Sequence, residues 1–359
     1  MTLEPTNETK PAPRVQIIVL NWNGGTDTVS CLTSIARLTY PNVWTCVVDN
    51  GSTDNSVASI RASHPDVEII EVGSNLGFAG GNNVGIRRAL DLGADYVLLL
   101  NNDTEVDNCL VDAFVAAAGR FPNAAAFTAK IFFWAQPRRL WYAGSRWSQT
   151  EGRFEHIGEG LEDNPGSGFS DPIEIPYACG CSLFIPAARL REIGLLDEEY
   201  FLYFEETDWC FRARAAGHPS IFVPDARVWH KVSVSLGGEG SPLQMYFVTR
   251  NRLLWARRHG SVAQQRAVRR ATWKMLRKHF LIRPLTQLSA GPRAAYWALR
   301  ESFSDPYSRA MLLGVRDYML GRFGDCPPSV REWTQRARKQ AAVRQANALE
   351  PSRRKAETQ

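Results

Sequence analysis

The first hundred residues alternate short apolar runs with helical patterns, and this alternation constrains the fold more than any other feature. Four runs have the continuous apolar character of strands buried on both faces: residues 15–20, 44–49, 67–72 and 96–100. Helical spacing separates them, over residues 26–38, from about Ser52 onward, and over 85–92. Strands that alternate with helices predict βαβ units and a mostly parallel sheet, so we expect an α/β fold with helices on both faces.

The rest of the chain divides into regions of different character. The pattern predicts loops and short strands over 131–176, a helix near 187–193, and a helix from Glu205 through Ala216. From about residue 243 the chain is helical, basic and aromatic. The predicted organisation is a flexible leader (1–14), a catalytic domain (15–242), a basic helical region (243–330) and a basic helix or disordered tail (331–359).

Charge is distributed unevenly along the chain. The whole chain has a net charge of +5, but residues 1–249 carry 18 Lys and Arg against 30 Asp and Glu, whereas residues 250–359 carry 24 against 7. This asymmetry suggests that the basic end meets an anionic partner: a membrane surface, a phosphorylated substrate or nucleic acid. No motif typical of nucleic-acid binding is present, so we expect no nucleic-acid partner.

Composition and leader exclude several classes of protein. The hydrophobic fraction of 44% and the charged fraction of 22% are those of a globular chain, and exclude disordered or fibrous classes. Seven cysteines without a CxxC pair predict reduced thiols and a cytoplasmic setting. We expect no signal peptide, because residues 1–14 lack an apolar segment, and no membrane-spanning helix, because every apolar run is too short.

Polar residues follow three of the predicted strands. They are Asn21-Trp22-Asn23, Asp49-Asn50-Gly51-Ser52 and Asn101-Asn102-Asp103. Ligands bind beyond the carboxyl ends of strands in parallel sheets, so three such ends together predict a pocket, although any one of them fits an ordinary turn. The glycine-rich segment 75–83, which includes Gly77 and Asn83, is consistent with a phosphate-binding loop or with a flexible turn before a helix.

Two sets of titratable residues are candidates for chemistry. Asp103 at a strand end suits Mg²⁺ or Mn²⁺ bound to a diphosphate, and His230 could complete that site or be an ordinary half-buried histidine. Glu205, Glu206 and Asp208 place three carboxylates within four positions after an aromatic run. They suit a general base with a raised pKa, or an acidic first turn of a helix that the helix dipole favours.

These segments, in this order, resemble family 2 glycosyltransferases of the GT-A fold, and most closely the bacterial rhamnosyltransferase type. The resemblance runs from Val15 to about Gly260. It rests on the segments IVLNWNG, VVDNGSTD, NLGFAGGNNVG, LLLNNDT, CGCSLFI, FLYFEETDWCFR, VWHK and RNRLL. It implies a nucleotide-sugar-binding domain with a mostly parallel sheet, followed by the basic helical C-terminal region.

The resemblance also implies roles for individual residues. Asp49 would hold the nucleobase or ribose of the donor. Asn101 and Asp103 stand at the D-x-D metal motif, with Asn replacing its first Asp, and His230 matches a family histidine that can ligate the metal. Glu206 matches the catalytic base, with Glu205 and Asp208 as alternatives. Donor binding is expected to involve the following residues: Asn23, Asp49, Gly77, Asn83, Asn101 and Asn102.

The expected function is inverting transfer of a sugar, with rhamnose favoured, from a dTDP- or UDP-sugar. Its acceptor would be a glycan or a polyprenyl-diphosphate-linked hydroxyl in surface-polysaccharide or glycolipid synthesis, with Mg²⁺ or Mn²⁺ as cofactor. Aromatic residues interleaved with the C-terminal Lys and Arg favour peripheral contact with an anionic membrane on its cytoplasmic face. The alternatives are a sugar-phosphate nucleotidyltransferase, or a non-catalytic protein that binds membrane or nucleic acid through its basic end.

Overall fold

The computed structural model describes residues 11–232 and 240–339 and contains a large mixed sheet with helices on both faces. Its strands are β1 (Val15–Asn21), β2 (Val43–Asp49), β3 (Glu68–Glu71), β4 (Tyr96–Asn101), β5 (Thr104–Val106), β6 (Ala126–Phe133), β7 (Gln136–Tyr142), β8 (Ser145–Ser148), β9 (Arg153–His156), β10 (Ile173–Ile175), β11 (Ser182–Pro186) and β12 (Ser220–His230). The α-helices of the first part are α1 (Gly25–Ile35), α2 (Ser56–Ser63), α3 (Gly77–Asp91), α4 (Leu110–Arg120), α5 (Ala187–Ile193) and α6 (Glu205–Ala215). The α-helices of the later part are α7 (Pro242–His259), α8 (Val262–Arg277), α9 (Arg283–Thr286), α10 (Pro292–Ser304) and α11 (Pro306–Met319).

The strand order explains why the ends of the predicted strands meet. The main sheet runs β10-β12-β6-β11-β4-β1-β2-β3, with β5 paired to β12 and β7 to β6, while β8 and β9 form a separate hairpin. β1 lies between β2 and β4 and is parallel to both. Four of its apolar residues, Val15, Ile17, Ile18 and Val19, are fully buried, as is typical of a central strand with both faces covered, and Leu20 is partly buried. The predicted α/β fold with a mostly parallel core and a helical C-terminal region is therefore confirmed.

The glycine-rich segment after β3 is helical, so the expectation of a loop or flexible turn over 75–83 is wrong for most of it. α3 begins at Gly77, eight residues earlier than predicted. The glycines are explained by packing: a Cβ on Gly81 would lie 2.5 Å from Leu20 Cδ1, and one on Gly85 would lie 2.6 Å from Ile18 Cγ2. The absence of side chains at these positions lets α3 approach β1 closely. In the sequence, glycines that serve this packing look the same as glycines of a phosphate-binding loop.

The start of the second helix also differs from the prediction. α2 begins at Ser56 rather than near Ser52. Ser52 is held in the preceding turn, where its hydroxyl donates a hydrogen bond to Asp49. The predicted helices over 187–193 and 205–216 are confirmed to within a residue.

The C-terminal helices pack onto the sheet domain. Leu243 and Phe247 on α7 form a buried apolar cluster with Phe201 and with Val330 of the helical residues 328–339. All seven cysteines are free thiols, as predicted. No helix in the described ranges is both long and apolar enough to cross a membrane. Residues 1–10 of the predicted leader and 340–359 of the predicted tail lie outside those ranges.

Candidate functional site

The carboxyl ends of β1, β2 and β4 form the floor of the site. Asn21 lies opposite Asp49 in the parallel register, and Leu20 lies opposite Asn101 on the other side. The three polar segments that follow these strands are therefore neighbours, as their positions in the sequence predicted.

Asp49 is buried beneath this edge and has no free carboxylate oxygen. It accepts hydrogen bonds from Asn21 Nδ2 at 2.8 Å, from the Ser52 hydroxyl at 2.6 Å and from the Ser52 N–H at 3.0 Å. Asn23 is engaged in the same way, because its Oδ1 accepts from the Thr53 N–H at 2.8 Å. Both residues shape the two turns, and neither is among the residues that line the adjoining cavity.

The first turn of α3 is also occupied by contacts within the protein. The N–H groups of Leu76, Gly77 and Phe78 donate to Asn50 Oδ1, Asn75 Oδ1 and the Phe201 carbonyl, at 2.7 to 2.9 Å. Gly77 has a φ of +75°, and a Cβ there would lie 2.4 Å from the Phe201 oxygen. The structure therefore does not leave these N–H groups free to cradle a phosphate.

Asn83 lies deeper in α3, where it fixes the segment before α6. Its Nδ2 donates to the Leu196 carbonyl and to Glu198, both at 2.9 Å, and its Oδ1 accepts from the Leu196 N–H. It is buried and, like Asp49, is absent from the lining of both cavities described here.

A first cavity lies above these strand ends and opens to solvent. Five of its residues belong to the predicted polar segments, whereas others come from α7 and from the helix over 328–339. Its lining consists of Leu20, Trp22, Asn50, Asn75, Gly77, Phe78, Asn101, Asn102, Asp103, Phe201, Leu202, Leu243, Phe247 and Arg331. Sequence reasoning missed Arg331, because no local pattern brings a residue 228 positions after Asp103 to this edge.

Asp103 and His230 are brought together by sheet pairing. β5 runs antiparallel to β12, which places His230 opposite Thr104, the residue after Asp103. The two side chains are buried, and His230 Nε2 lies 3.0 Å from Asp103 Oδ1. Within the described residues neither ring nitrogen of His230 makes a hydrogen bond, so the approach to Asp103 lacks hydrogen-bond geometry.

This pair fits a divalent cation. A buried carboxylate and an imidazole nitrogen without a hydrogen-bond partner are suitable ligands for Mn²⁺ or Mg²⁺. No group of three or more His, Cys, Asp or Glu side chains among the described residues is arranged to hold a metal. The remaining positions of a bound ion would therefore fall to amide, water or diphosphate oxygens, of which Asn101 beside Asp103 offers one.

A second cavity adjoins the first and shares Phe78, Asn101, Asp103 and Leu202 with it. Asp103 thus lies at the junction of the two. The other lining residues come from six separate segments: Trp141, Arg153, Phe154, His156, Tyr177, Cys179, Gly180, Cys181, Tyr203, Phe204, Glu205, Glu206, Thr207, His230, Gln244, Val248 and Arg252. Trp141 lines this cavity, whereas its neighbour Tyr142 is fully buried and Trp147 packs on Trp255.

The three carboxylates at the start of α6 have different environments. Asp208 is turned away from the cavity, and Arg212 and His259 donate to its two oxygens at 2.8 and 2.7 Å. Burial raises the pKa of Asp208, but these hydrogen bonds outweigh burial and the pKa is lowered. Asp208 therefore ties α6 to α7, and the structure does not bring it into the cavity with the other two.

Glu205 and Glu206 both line the second cavity. Glu205 is almost fully buried, its Oε2 has no hydrogen-bond partner among the described residues, and burial raises its pKa well above the usual value. Glu206 is half-buried, and burial raises its pKa to about 7. A carboxylate with that pKa, at a solvent-accessible wall, is suited to accept a proton near neutral pH.

The backbone before Glu205 is held by two residues of α7 for which sequence reasoning proposed no role. Phe201, Tyr203 and Phe204 have positive φ angles of 63°, 66° and 76°, a conformation that costs energy for bulky side chains. Asn251 Nδ2 lies 2.8 to 2.9 Å from the carbonyl oxygens of Tyr200, Leu202 and Tyr203. This bond network fixes the aromatic segment and thereby the start of α6.

Arg250 binds the same segment as Asn251, and the two residues together form the α7 clamp. The Arg250 guanidinium is buried and donates to the carbonyls of Glu199, Tyr200 and Gly324 at 2.7 to 3.2 Å. In the sequence Arg250 and Asn251 belong to the RNRLL segment of the family resemblance, which carries no local indication of a partner fifty residues upstream.

Comparison with known families decides the class of protein. The sequence model described as glycosyl transferase family 2 matches residues 16–180. Residues 16–180 belong to glycosyltransferase family 2. This family 2 domain contains Asp49, Asn101 and Asp103, whereas Glu206, His230 and the α7 clamp lie after the matched residues.

Relatives of known sequence extend the match beyond the family 2 domain. An N-acetylglucosaminyl-diphospho-decaprenol L-rhamnosyltransferase of Mycobacterium tuberculosis is 26% identical over 239 residues, which cover 62% of this chain and 77% of the relative. A dTDP-rhamnosyl transferase, RfbF, of Shigella flexneri is 23% identical over 253 residues, which cover 68% and 80%. The chain therefore contains a family 2 glycosyltransferase domain and, over 62% to 68% of its length, resembles rhamnosyltransferases.

A solved structure shows the same fold over most of the chain. The mannosyltransferase PcManGT from Pyrobaculum calidifontis, in complex with GDP-Man and Mn²⁺, superposes with a TM-score of 0.50 at 18% identity. The alignment covers 93% of this chain and 87% of the mannosyltransferase. The fold of the family 2 domain and its extension is thus that of GT-A glycosyltransferases.

Proposed function

We propose that this chain is a metal-dependent, inverting glycosyltransferase that moves a sugar from a nucleoside-diphosphate donor to a hydroxyl of a glycan or lipid-linked acceptor. The observation that carries the proposal is the arrangement of the two cavities. The Asp103–His230 pair lies at their junction, and Glu206, whose pKa is raised, lies on the wall of the second. A donor in the first cavity would therefore present its anomeric carbon to an acceptor in the second.

Asp103 and His230 would hold the cation, with Asn101 beside them. When bound, Mn²⁺ or Mg²⁺ would neutralise the charge that develops on the leaving diphosphate. The first cavity would take the nucleoside, because it offers an aromatic ring at Trp22 and amide groups at Asn50 and Asn75. Asp49 would act from below by fixing the turn that carries Asn50, a less direct role than the expected contact with base or ribose.

Glu206 would act as the base in a single displacement. Its carboxylate takes the proton of the acceptor hydroxyl while the hydroxyl oxygen bonds to the anomeric carbon. The bond from that carbon to the diphosphate oxygen breaks, and the nucleoside diphosphate leaves with the electron pair. Because attack and departure occur on opposite faces of the sugar, the anomeric configuration inverts.

Rhamnose is the favoured sugar, with dTDP or UDP as nucleotide, because two relatives are named as rhamnosyltransferases and one of them as dTDP-dependent. The acceptor named for the mycobacterial relative is lipid-linked, which supports a role in surface-polysaccharide or glycolipid synthesis. The reported matches are to sugar-transferring enzymes and give no support to the nucleotidyltransferase alternative.

The test is a transfer assay with dTDP-rhamnose, UDP-sugars and GDP-sugars, each with Mn²⁺ or with chelator. We expect transfer with one donor, its loss on chelation, and product of inverted anomeric configuration. Asp103→Ala should abolish transfer, whereas Asp66→Asn, which neutralises an exposed carboxylate that lines neither cavity, should leave transfer unchanged. An active wild type that is indifferent to Asp103→Ala would overturn the site assignment.

We further propose that helices α8 to α10 contact an anionic membrane from its cytoplasmic side. Trp273 and Trp297 are 65% and 56% exposed, and Leu281 and Phe303 are likewise exposed. Basic residues alternate with them: Lys274, Arg277, Lys278, Arg283, Arg293 and Arg300. Exposed rings among Lys and Arg are typical of interfacial helices.

Vesicle flotation tests this contact. Vesicles that contain phosphatidylglycerol should carry the protein upward and neutral vesicles should not, and Trp273→Ser combined with Trp297→Ser should weaken flotation. Flotation that is independent of anionic lipid would contradict the proposal.

A further inference from the structure

Two arginines in the second cavity have no partner in the part of the chain that the structure describes. Arg252 projects from α7, is 6% exposed and makes neither an ion pair nor a hydrogen bond there; its Nε atom is buried and unpaired. Arg153, the first residue of β9, lines the same cavity, and its side chain likewise has no hydrogen-bond or carboxylate partner among the described residues. Two positive charges thus share one wall.

The neighbouring Arg250 shows that this is not a general property of the helix. Residues 250 and 252 are separated by about 200° around the axis of α7, since each residue turns the helix by about 100°. Arg250 therefore faces the clamp and its guanidinium is bound by carbonyl oxygens. Arg252 faces the cavity, where the described residues offer it none.

A buried, unpaired guanidinium is energetically unfavourable in the free protein. Burial and the charge of Arg153 lower the pKa of Arg252 to about 10, which still leaves it protonated at neutral pH. Such a pair becomes favourable when an anion lies against it, because guanidinium groups form strong charge-assisted hydrogen bonds with phosphate.

The position of the pair indicates which substrate carries that anion. Arg153 and Arg252 line the cavity that contains Glu206 and are absent from the lining of the first cavity. The proposed metal ligands lie at the junction, where a donor diphosphate would be held. The base acts on the acceptor, so an anion that meets these arginines belongs to the acceptor.

We propose that Arg153 and Arg252 form a subsite for a phosphate group of the acceptor, attached to the sugar whose hydroxyl Glu206 deprotonates. This inference rests on the proposed glycosyltransferase function and deepens it. The acceptor is then a sugar phosphate or sugar diphosphate ester, and a neutral glycan is a poor substitute. The subsite orients the sugar by its phosphate end and leaves the hydroxyl at Glu206.

Calorimetric titration of the full chain tests the subsite without turnover. The protein is saturated with Mg²⁺ and with dTDP or UDP, so that the donor positions are filled. The probes are N-acetylglucosamine 1-phosphate, N-acetylglucosamine and inorganic phosphate. We expect the sugar phosphate to bind about tenfold or more tightly than either of the others, a difference typical of one charged hydrogen-bonded pair.

The variants identify the residues responsible. Arg252→Gln and Arg153→Gln should each weaken binding of the sugar phosphate about tenfold, and Arg252→Lys should retain part of it. Arg269→Gln removes one exposed charge from the neighbouring helix α8 and should bind like the wild type. Nucleotide affinity should be the same in all of them.

Three results would overturn the subsite. One is unchanged sugar-phosphate binding in both Gln variants. Another is a loss of nucleotide affinity with sugar-phosphate binding intact, which would assign the arginines to the donor. The third is inorganic phosphate that binds as tightly as the sugar phosphate, which would indicate a site for a free anion.

Thermal unfolding tests whether the role of Arg252 is purely structural. Because its charge is buried without a partner, Arg252→Gln should leave the unfolding midpoint unchanged or raise it while it weakens binding. A lowered midpoint would show that Arg252 supports the fold, and Arg153→Gln, at an exposed position, then decides the question alone.

The outcomes also separate this inference from the proposed function. Sugar transfer by a protein without any preference for phosphate-bearing probes would overturn the subsite and leave the glycosyltransferase proposal standing. Phosphate preference in a protein that transfers no sugar from any donor would count against the glycosyltransferase proposal instead.

Discussion

The two cavities are built in different ways although they share Asp103. The first is formed mainly by the ends of adjacent parallel strands within the family 2 domain, and most of its polar residues follow those strands, with Arg331 as the exception. The second is assembled from the β8–β9 hairpin, the segment before β11, the start of α6, the end of β12 and one side of α7. If the first cavity binds the donor, as proposed, donor binding depends mainly on local motifs, whereas the proposed acceptor side depends on contacts between distant segments.

This contrast has a physical basis in chain topology. A βαβ unit brings the ends of its strands together whatever the rest of the chain does, because the crossover is short and right-handed. The walls of the second cavity meet only when α7 packs against residues 199–204, through Arg250 and Asn251. We expect variation in the second cavity to change acceptor choice with little effect on nucleotide binding.

The largest expected effect is on the base. Glu206→Gln should lower the transfer rate about 10²–10⁴-fold, the usual contribution of a general base, because Gln cannot accept the hydroxyl proton. Nucleotide affinity should stay within about twofold, since Glu206 lines only the second cavity. Steady-state kinetics and nucleotide titration measure the two quantities. A comparable loss in Glu205→Gln, with Glu206→Gln active, would move the base to Glu205.

The next effect concerns the clamp. Asn251→Ala removes the side-chain donor of the Leu202 and Tyr203 carbonyls, whereas the Tyr200 carbonyl keeps Arg250, and it should lower the free energy of unfolding by about 2–4 kcal/mol. Urea denaturation measures this. At temperatures where the variant is folded, we expect a reduced kcat with nearly unchanged nucleotide affinity. A loss of nucleotide affinity as large as the loss of kcat would contradict the inference that the two cavities function independently.

The pH dependence of transfer provides a smaller effect. Burial raises the pKa of Glu206 to about 7, and a base acts only when deprotonated, so the rate should fall about tenfold per pH unit below that pKa and level off above it. Nucleotide affinity should not show this decrease at low pH. A flat profile between pH 5 and pH 8 would contradict the assignment of Glu206.

The same raised pKa has a consequence for stability with the opposite sign. Between the ordinary pKa of a carboxyl and about 7, folded Glu206 binds a proton that the unfolded chain has released. Its contribution to stability is therefore present at low pH and is lost as pH rises through this window. Glu206→Gln should remove that part of the pH dependence, as denaturation at pH 5 and pH 8 would show.

The smallest effect tests the glycines of α3. Gly85→Ala places a methyl group 2.6 Å from Ile18 Cγ2 and should destabilise the protein by about 1–3 kcal/mol through overpacking, with nucleotide affinity unchanged in the folded fraction. Gly119 of α4 is the matched control, because its added Cβ meets nothing within 4 Å, and Gly119→Ala should be neutral or stabilising. Weaker nucleotide binding by Gly85→Ala would instead support a role of the glycine-rich start of α3 in binding phosphate.

The sequence by itself determined the parallel core, the edge at which the site lies and the candidates Asp103, Glu206 and His230. Apolar runs of strand length, polar residues at their ends and the order of the motifs are local signals. They can be recognised without knowledge of the tertiary contacts. The same signals misplaced the start of α3, because glycines that let a helix approach β1 look like glycines that let a backbone approach phosphate.

Only the tertiary structure decided which of these residues face one another and which serve the fold. In the folded chain Asp208 accepts hydrogen bonds from Arg212 and His259 and lies outside the cavity. The pairing of β5 with β12 places His230 beside Asp103. The tertiary structure also brought Arg153 and Arg252, ninety-nine positions apart, to one cavity wall. Burial and pairing depend on segments distant in sequence, so no pattern within a segment reveals whether a charged side chain there is satisfied or free.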